Sequence, residues 1–217
     1  MKRTLDVLVL GRGKLGNALR KHARAAGHRV RVAASRTWDP ATPIAADLLV
    51  LAVRDKELEP LAIALAKSGA VSKRTVVVHV AGARSSSVLA ALRGHAAGIA
   101  QMHPMIAFAT PTFAPSLAGG HAHVEGDEVA VKLARRFCRS LGLVPRTFPG
   151  LDTVGYHAAA GLVANGAAAL AALGQELLVR SGARAEDVPH VLGPLLHSVA
   201  ENVAALGMPA GDRKSVV

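Results

Sequence analysis

The sequence predicts an α/β protein in which a doubly wound, mostly parallel sheet is followed by a small all-α domain. Three observations support this fold class. Short apolar runs alternate with helical patterns over residues 1–150, only helical patterns follow, and a glycine motif separates the first run from the first helix. The apolar run at residues 46–55 also lacks polar alternation, which is typical of a parallel strand covered on both faces.

The first strand is predicted at residues 5–10, and the motif GRGKLG follows it directly at residues 11–16. A helical pattern begins there, and a second strand at residues 28–34 completes a βαβ unit. In a Rossmann-type unit, the first glycine permits a tight turn, the second admits a pyrophosphate and the third lets the helix pack on the strand. The predicted dinucleotide site comprises Gly11, Arg12, Gly13, Lys14, Leu15 and Gly16. A glycine-rich turn in another α/β protein is the alternative.

The residues after the second strand favour NADP over NAD. NAD sites usually carry an acidic residue about 20 positions after the glycines, where it binds the ribose 2′-hydroxyl. Here Ser35, Arg36 and Thr37 stand at that point, and the first carboxylate is Asp39. Two hydroxyl groups and a guanidinium suit a 2′-phosphate. A solvated arginine without such a role is the alternative.

The alternation of strands and helices continues through the sheet domain. Strands are predicted at 46–55, 74–80, 98–102, 121–124 and 143–147, and helices at 56–68, 85–93 and 126–141. Ligands of an open α/β sheet bind outside the carboxyl ends of its strands. Val53 and Arg54 lie at such an end and are expected to contact the cofactor. His79 and His103 follow two neighbouring strands, where either imidazole could act as general acid or base or simply bond to the backbone.

A cluster of helix-breaking residues at 148–150 marks the predicted boundary between a nucleotide-binding domain, residues 1–150, and a helical domain, residues 151–217. Helices are predicted at 153–180 and 185–207. The first of them is lined with small residues, and the helical domain has too little chain to cover it. We therefore expect a homodimer formed through this domain.

Polar side chains interrupt the first of these helices near its beginning. Tyr156, His157 and Asn165 share roughly one helical face, which makes them candidate substrate residues. Alternatively, they cap the helix and link it to the sheet domain, because buried polar groups need partners. His121 and His123 share one face of a strand but have no recognisable third ligand, so no metal site is predicted.

Composition excludes several classes of protein. With 217 residues, 51% of them hydrophobic and 19% charged, the chain can bury a large core and is not generally disordered. The net charge of +11 comes from scattered basic residues without interleaved aromatics, so nucleic acid is not an expected partner. Asp6 interrupts the apolar run near the N-terminus, so no signal peptide is predicted. The longest apolar stretch, residues 158–174, is interrupted by Asn165 and Gly166 and is shorter than the roughly 20 residues of a membrane span, so a buried helix is predicted there. The single cysteine, Cys138, fits a cytoplasmic location.

Four segments carry a resemblance to a known family. They are HVAGA at 79–83, QMHPMIAF at 101–108, HVEGD at 123–127 and YHAAAGLVAN at 156–165. In this order they resemble Rossmann-like NADP oxidoreductase-type proteins with a C-terminal helical domain of unknown function. That family is similar to pyrroline-5-carboxylate reductases and deazaflavin-dependent NADP reductases. The HPM sequence also resembles a prephenate dehydrogenase signature in which the histidine serves a substrate hydroxyl.

The chain departs from these relatives in ways that matter for catalysis. Ala81 stands where the family commonly has serine, and Gly161 stands where the related 3-hydroxyacid dehydrogenases have lysine. The chemistry of those dehydrogenases is therefore not carried over. Relatives also continue beyond the last residues, 211–217, and we expect a shortened substrate half.

Two functions fit the sequence. The first is an NADP-dependent oxidoreductase that moves a hydride between nicotinamide and a small carbonyl or imine. In that case His103 or His157 relays the proton, while Tyr156 and Asn165 position the substrate. The alternative is a non-catalytic NADP-binding sensor or regulatory protein.

Overall fold

The computed structural model describes residues 3–207, so the expected shortened tail, residues 211–217, lies outside the described residues. The chain divides into two compact units, Met1–Ala160 and Gly161–Val217. The first unit contains the sheet and the helices that cover it, and the second contains most of two long helices. The domain boundary near residue 150 stays a prediction.

Seven strands form one sheet. The strands are β1 (Asp6–Leu10), β2 (Arg29–Ala33), β3 (Leu48–Leu51), β4 (Val76–His79), β5 (Gly98–Pro104), β6 (His121–Gly126) and β7 (Val144–Arg146). Their spatial order is β2-β1-β3-β4-β5-β6-β7, and adjacent strands are parallel except for β5 and β6. The predicted mostly parallel, doubly wound sheet is confirmed.

The chain order reverses beside β1, since β2 lies on one side of this strand and β3 lies on the other. Such a switch point leaves a crevice outside the carboxyl ends of the strands, and ligands of doubly wound sheets bind there. The turns that follow β1 and β3 therefore meet at the edge where a ligand is expected.

Three α-helices cover the sheet: α1 (Lys14–Ala25), α2 (Asp55–Ser68) and α3 (Glu128–Ser140). The helix predicted at 85–93 is instead a 3₁₀-helix at Ser86–Leu92. Leu89 and Leu92 are both fully buried in it, and their spacing of three residues matches the 3₁₀ period. Packing therefore sets the winding of this short segment.

Each face of the sheet has its own apolar core. Val7 and Val9 of β1 belong to the core beneath α1 and α3, whereas Leu8 and Leu10 belong to the core beneath α2 and the 3₁₀-helix. The central strands β1, β3, β4 and β5 are buried on both faces, which accounts for their mostly apolar sequences, whereas Arg29 and Arg31 of β2 are exposed. Phe137 of α3 is the largest of the fully buried side chains.

His28 connects α3 to the beginning of the sheet. Its Nδ1 atom accepts a hydrogen bond from the Leu5 amide at 3.1 Å, and its Nε2 atom lies 2.8 Å from Ser140 Oγ. Because the Ser140 hydroxyl donates to the Phe137 carbonyl at 2.6 Å, the histidine proton lies on Nε2. Burial, and then the charge of Arg136, lower the pKa of His28, which favours the neutral imidazole that this arrangement requires.

The second unit contains most of α4 (Thr153–Arg180) and all of α5 (Val188–Leu206). The structure agrees with the bounds predicted for α4, whereas α5 begins slightly later than predicted, with a proline in its first turn, where proline is tolerated. Within the described chain no residue of α4 is buried. This 28-residue helix contains an 18-residue window with a mean hydropathy of 1.5, so it could cross a membrane by length and composition alone.

Both helices of the second unit expose large apolar side chains. These are Leu162, Val163, Leu170, Leu173, Leu177, Val179, Val191, Leu195, Leu196, Val199, Val203 and Leu206. Large apolar side chains exposed in such number on two helices are typical of an interaction site.

Replacing Phe137 by alanine should destabilise the first unit, because the substitution opens a cavity beneath α3 and removes the ring that packs against His28 at 5.5 Å. We expect a loss of about 3–5 kcal/mol in the free energy of unfolding, measured by urea denaturation. Phe113→Ala is the matched control, since the Phe113 side chain is 63% exposed and its loss should change stability little. Equal effects of the two substitutions would contradict this description of the core.

Candidate functional site

The glycine loop after β1 depends on two close backbone contacts. Gly11 has a φ angle of +131°, and a Cβ atom on it would clash with the carbonyl of Ala52, directly after β3. A Cβ atom on Gly16 would clash with the Gly11 carbonyl. The first glycine therefore allows the turn, and the third allows α1 to pack against it, as the sequence predicts.

The middle glycine of the loop faces open space. An added Cβ atom at Gly13 would meet nothing within 4 Å, and Gly13 is the N-cap residue of α1 without a side-chain capping bond. Within residues 3–207 no side-chain cap occupies the first amide groups of α1, and the helix dipole favours an anion beside them. The geometry fits the pyrophosphate of a dinucleotide.

A cavity of about 360 Å³ lies between this loop and the residues after β2. It is lined by Gly11, Arg12, Gly13, Ala34, Ser35, Arg36, Ala52, Val53, Arg54 and Glu57. Thr37, by contrast, is not among the lining residues, and its hydroxyl donates to the Ala34 carbonyl at 3.5 Å. Glu57 was missed by the sequence analysis, because it belongs to α2 and lies far along the chain from the end of β2.

A second cavity, of about 560 Å³, lies along the carboxyl ends of the central strands. It is lined by Gly13, Lys14, Leu15, Gly16, Ala52, Val53, Arg54, Asp55, Val80, Ala81, Gly82, His103 and His157. The two cavities share Gly13, Ala52, Val53 and Arg54, so together they form one groove. We refer to the two cavities together as the groove.

His103 and His157 meet at the far end of the groove. Their ring centroids are 5.5 Å apart, and Gly82 lies against both rings. A Cβ atom on Gly82 would clash with His157 Nδ1 and would lie 2.7 Å from His103 Nε2. The two imidazoles can therefore come together only because residue 82 is glycine. Asn165 lies further along α4, in the second unit, and its substrate role stays a prediction.

The electrostatic environment of His103 favours a neutral ring. Burial, and then the neighbouring His157, lower the pKa of His103 to about 4. Tyr156 contacts the His103 ring edge-on at 5.7 Å, and burial raises the pKa of its phenol to about 12. Both groups are consequently uncharged near neutral pH, and a neutral imidazole can donate from one nitrogen and accept at the other.

His79 is fully buried and lines neither part of the groove. Its Nε2 atom donates to the Ser85 carbonyl at 3.1 Å, and its Nδ1 atom accepts from the Ala81 amide at 3.3 Å. Burial lowers the pKa of His79 to about 4. His79 is thus bonded to the backbone, which was one of its two roles considered from the sequence. These bonds hold the turn that contains Gly82.

Gln101 is a site residue that the sequence analysis did not single out. The side chain is fully buried in β5, and its Nε2 atom donates to the carbonyls of Ala81 at 2.8 Å and Gly82 at 3.3 Å. It therefore holds the wall of the groove opposite the glycine loop. An amide within an otherwise apolar strand was the signal that could have revealed it.

The sequence pair His121 and His123 packs against aromatic rings. Phe148 stacks on His123 with an interplanar angle of 2° and lies 5.4 Å from the His121 ring. Among residues 3–207, no three histidine, cysteine or acidic side chains converge as ligands for a metal ion.

Comparisons with known protein families agree with this geometry. Residues 31–104 match a Rossmann-like domain, and residues 121–211 match DUF2520, a domain of unknown function. The chain joins a Rossmann-like domain to a DUF2520 domain. The resemblance noted in the sequence is thereby confirmed. No curated protein sequence matches the chain.

Solved structures share the fold. A Bacteroides fragilis protein provisionally assigned as an NADP oxidoreductase is 20% identical, with a TM-score of 0.73 over 94% of this chain and 82% of its own. Plasmodium falciparum pyrroline carboxylate reductase with NADP bound is 13% identical, with a TM-score of 0.74 over 100% of this chain and 85% of its own. A Streptomyces aurantiacus imine reductase is 15% identical, with a TM-score of 0.63 over 91% of this chain and 75% of its own.

Acidification should destabilise the protein through its buried histidines. The folded-state pKa values of His79 and His103 are about 4, whereas an unfolded histidine titrates near 6.5. Between these values the unfolded chain binds more protons, so stability is full above pH 6.5 and falls as the pH decreases toward 4. Each imidazole should contribute up to about 3 kcal/mol to this loss.

Urea denaturation across this pH range measures the effect. His79→Gln should reduce the slope of the unfolding free energy against pH, and His95→Gln, at an exposed position, is the matched control. A wild-type stability that stays constant from pH 7 to pH 4 would overturn the assignment of neutral buried rings.

Proposed function

We propose that this protein is an oxidoreductase that uses NADP and acts on a small carbonyl or imine. The observation that carries the proposal is the continuous groove from Ser35 and Arg36, past the glycine loop, to His103 and His157. Arg36 and Ser35 offer cationic and hydroxyl groups for a phosphate, and the glycine loop offers backbone amides for a pyrophosphate. The two imidazoles at the other end can transfer a proton.

The structural relatives support the same reading. The pyrroline carboxylate reductase has NADP bound, and the imine reductase is named for reduction of a carbon–nitrogen double bond. Both share the fold of this chain along most of its length. We therefore propose a carbon–nitrogen or carbon–oxygen double bond as the reacting group.

The residues of the groove would hold NADP in a defined direction. The loop from Gly11 to Gly16 and the start of α1 would bind the pyrophosphate, and Arg36 would bind the 2′-phosphate. Val53 and Arg54, after β3, would flank the middle of the cofactor. When bound, reduced NADP supplies the hydride.

His103 is the proposed proton donor. Its Nε2 atom lies beside Gly82, at the wall of the groove, so a substrate oxygen or nitrogen held there can receive its proton. The ring is neutral near pH 7, and a neutral imidazole N–H can hydrogen-bond the substrate before the proton moves. His157 is exposed next to it and would hold the other side of the substrate. Tyr156 and Asn165 are proposed to help position the substrate.

Arg36→Ala should weaken NADPH binding about 10- to 100-fold and leave NADH binding nearly unchanged, because a charge-assisted hydrogen bond to the 2′-phosphate is lost. Titration of cofactor fluorescence measures both affinities. Glu57→Gln is a second test variant with the opposite expected effect, since the Glu57 carboxylate lines the same cavity and should repel a 2′-phosphate. NADPH affinity should rise in that variant. Identical titration curves for NADPH and NADH on the wild-type protein would remove the proposed preference.

His103→Asn should lower turnover about 10²- to 10⁴-fold with little change in NADPH affinity, because it removes a general acid and leaves the phosphate contacts intact. A screen of NADPH oxidation against carbonyl, imine and deazaflavin substrates supplies the assay. The competing proposal is a non-catalytic NADP-binding sensor. It is favoured by Ala81, whose amide donates to His79 and whose side chain has no hydroxyl to orient a neighbouring histidine. Tight NADPH binding without turnover on any substrate would support the sensor.

We further propose that the protein is a soluble, cytoplasmic homodimer built through α4 and α5. The apolar side chains exposed on these helices would be covered by a second copy of the chain, across an interface well above about 1,000 Å². The small residues of α4, such as Ala164 and Gly166, would permit close approach of the partner helix.

Ala164→Leu tests the dimer. Ala164 is exposed in one chain, so a leucine there should be tolerated by a monomer but should overpack a tight helix interface by about 1–3 kcal/mol. Light scattering and dilution experiments should show a wild-type dimer and a weaker variant dimer. A well-folded wild-type monomer at micromolar concentration would contradict the proposal, and detergent-dependent solubility would indicate a membrane partner instead.

A further inference from the structure

His103 has a histidine directly opposite it in the sheet. In the antiparallel pair of β5 and β6, His103 is in register with His123. Directly opposed residues of antiparallel strands present their side chains on the same face. Tyr156, from the start of α4, contacts both rings, with ring centroids 5.7 Å from His103 and 5.6 Å from His123. These three residues are called the His–Tyr–His cluster below.

Each member of the cluster has a buried polar atom that makes no hydrogen bond to another group in residues 3–207. These atoms are His103 Nδ1, His123 Nδ1 and the Tyr156 hydroxyl. His103 is 9% exposed and His123 is 1% exposed. Leaving buried polar atoms unpaired is destabilising, and a group of them at one place calls for a functional explanation.

The cluster separates two cavities. His103 lines the groove, whereas His123 lines a different cavity of about 490 Å³ that also contains Glu125 and Glu128. We call this second space the acidic cavity. In the described part of the chain, it shares no lining residue with the groove.

We propose that the His–Tyr–His cluster is a proton-transfer route that connects the groove with the acidic cavity. The inference rests on the proposed oxidoreductase function, in which the groove is filled by cofactor and substrate during the reaction. A proton consumed at the substrate must then arrive from the opposite side of His103. The cluster extends from that side of the ring to the acidic cavity.

The proton balance of the route is simple. As the substrate carbon accepts a hydride, its double bond opens and the substrate oxygen or nitrogen takes the proton from His103 Nε2. His103 Nδ1 takes a proton that originates from the Tyr156 hydroxyl, and the hydroxyl takes one that originates from His123. Because these atoms do not hydrogen-bond to one another, each transfer passes through a bridging water. His123 is reprotonated from solvent in the acidic cavity. One solvent proton is consumed, and every member of the cluster ends neutral.

The surroundings of the cluster explain why His103 needs a second proton path. Burial keeps the pKa of His103 at about 4 and lowers that of His123, so neither ring stores an extra proton near pH 7. A neutral imidazole that loses its Nε2 proton must gain one at Nδ1 in the same step. The neighbouring histidines also lower the pKa of His103 by their charge when protonated; they are His157, His123, His79 and His121. Glu125 raises the pKa of His123, and His121 lowers it.

Tyr156→Phe and His123→Gln test the route kinetically. Each should lower kcat roughly 10- to 100-fold, increase the solvent deuterium isotope effect on kcat, and leave NADPH affinity near wild type. His123→Gln should also leave KM near wild type, because His123 lies outside the groove. Added imidazole should partly restore turnover in His123→Gly, where it can occupy the missing ring position. His121→Gln is the matched control, because His121 contacts Tyr156 at 6.4 Å but lines neither cavity. Unchanged kcat and isotope effect in both Tyr156→Phe and His123→Gln would overturn the route.

A second measurement does not depend on turnover. Nitrogen-15 NMR of labelled histidines reports which ring nitrogen carries the proton, and Tyr156→Phe should change the tautomer signals of His103 and His123 together. Signals of both rings that stay as in the wild type would overturn the route. If no substrate is turned over, the proposed function fails, and the NMR result still decides whether the cluster is coupled. If His123→Gln does not fold, Tyr156→Phe decides, since it keeps the aromatic ring.

Discussion

The candidate site depends on one backbone contact at the switch point of the sheet. Gly11 lies against the Ala52 carbonyl and Gly16 lies against the Gly11 carbonyl, so β1, β3 and α1 approach more closely than any side chain would permit. Both halves of the groove have Ala52 and Gly13 in their walls. The contact therefore sets the width of the nucleotide loop and its distance from the strand ends that support His103.

Much of the fold could be predicted because the pattern of buried apolar residues along the sequence differs between strands and helices. Strands buried on both faces appear as continuous apolar runs, and helices such as α3 bury one side, including Phe137. The 3₁₀-helix at Ser86–Leu92 could not be predicted in the same way. Its winding depends on how two leucines fit between α2 and the sheet, and that is a property of tertiary packing.

The candidate site was less predictable than the fold, and the reason lies in β6. The rule that ligands bind at the carboxyl ends of strands pointed to His79 and His103. Because β6 runs antiparallel to β5, its beginning and not its end lies at that edge, which brings His123 beside His103. Strand direction is not visible in a local apolar pattern. Gln101 and Glu57 were missed for a related reason, since their partners come from distant parts of the chain.

The scarcity of aromatic residues has a practical consequence for spectroscopy. The chain has one tryptophan and one tyrosine. A short 3₁₀-turn, Ser35–Thr37, follows β2, and Trp38 comes directly after it. The Trp38 amide donates to the Ser35 carbonyl at 3.4 Å, whereas Tyr156 contacts His103. The two ends of the groove therefore each have their own intrinsic chromophore. Trp38 emission overlaps the absorption of a reduced nicotinamide, so energy transfer would report cofactor occupancy without any label.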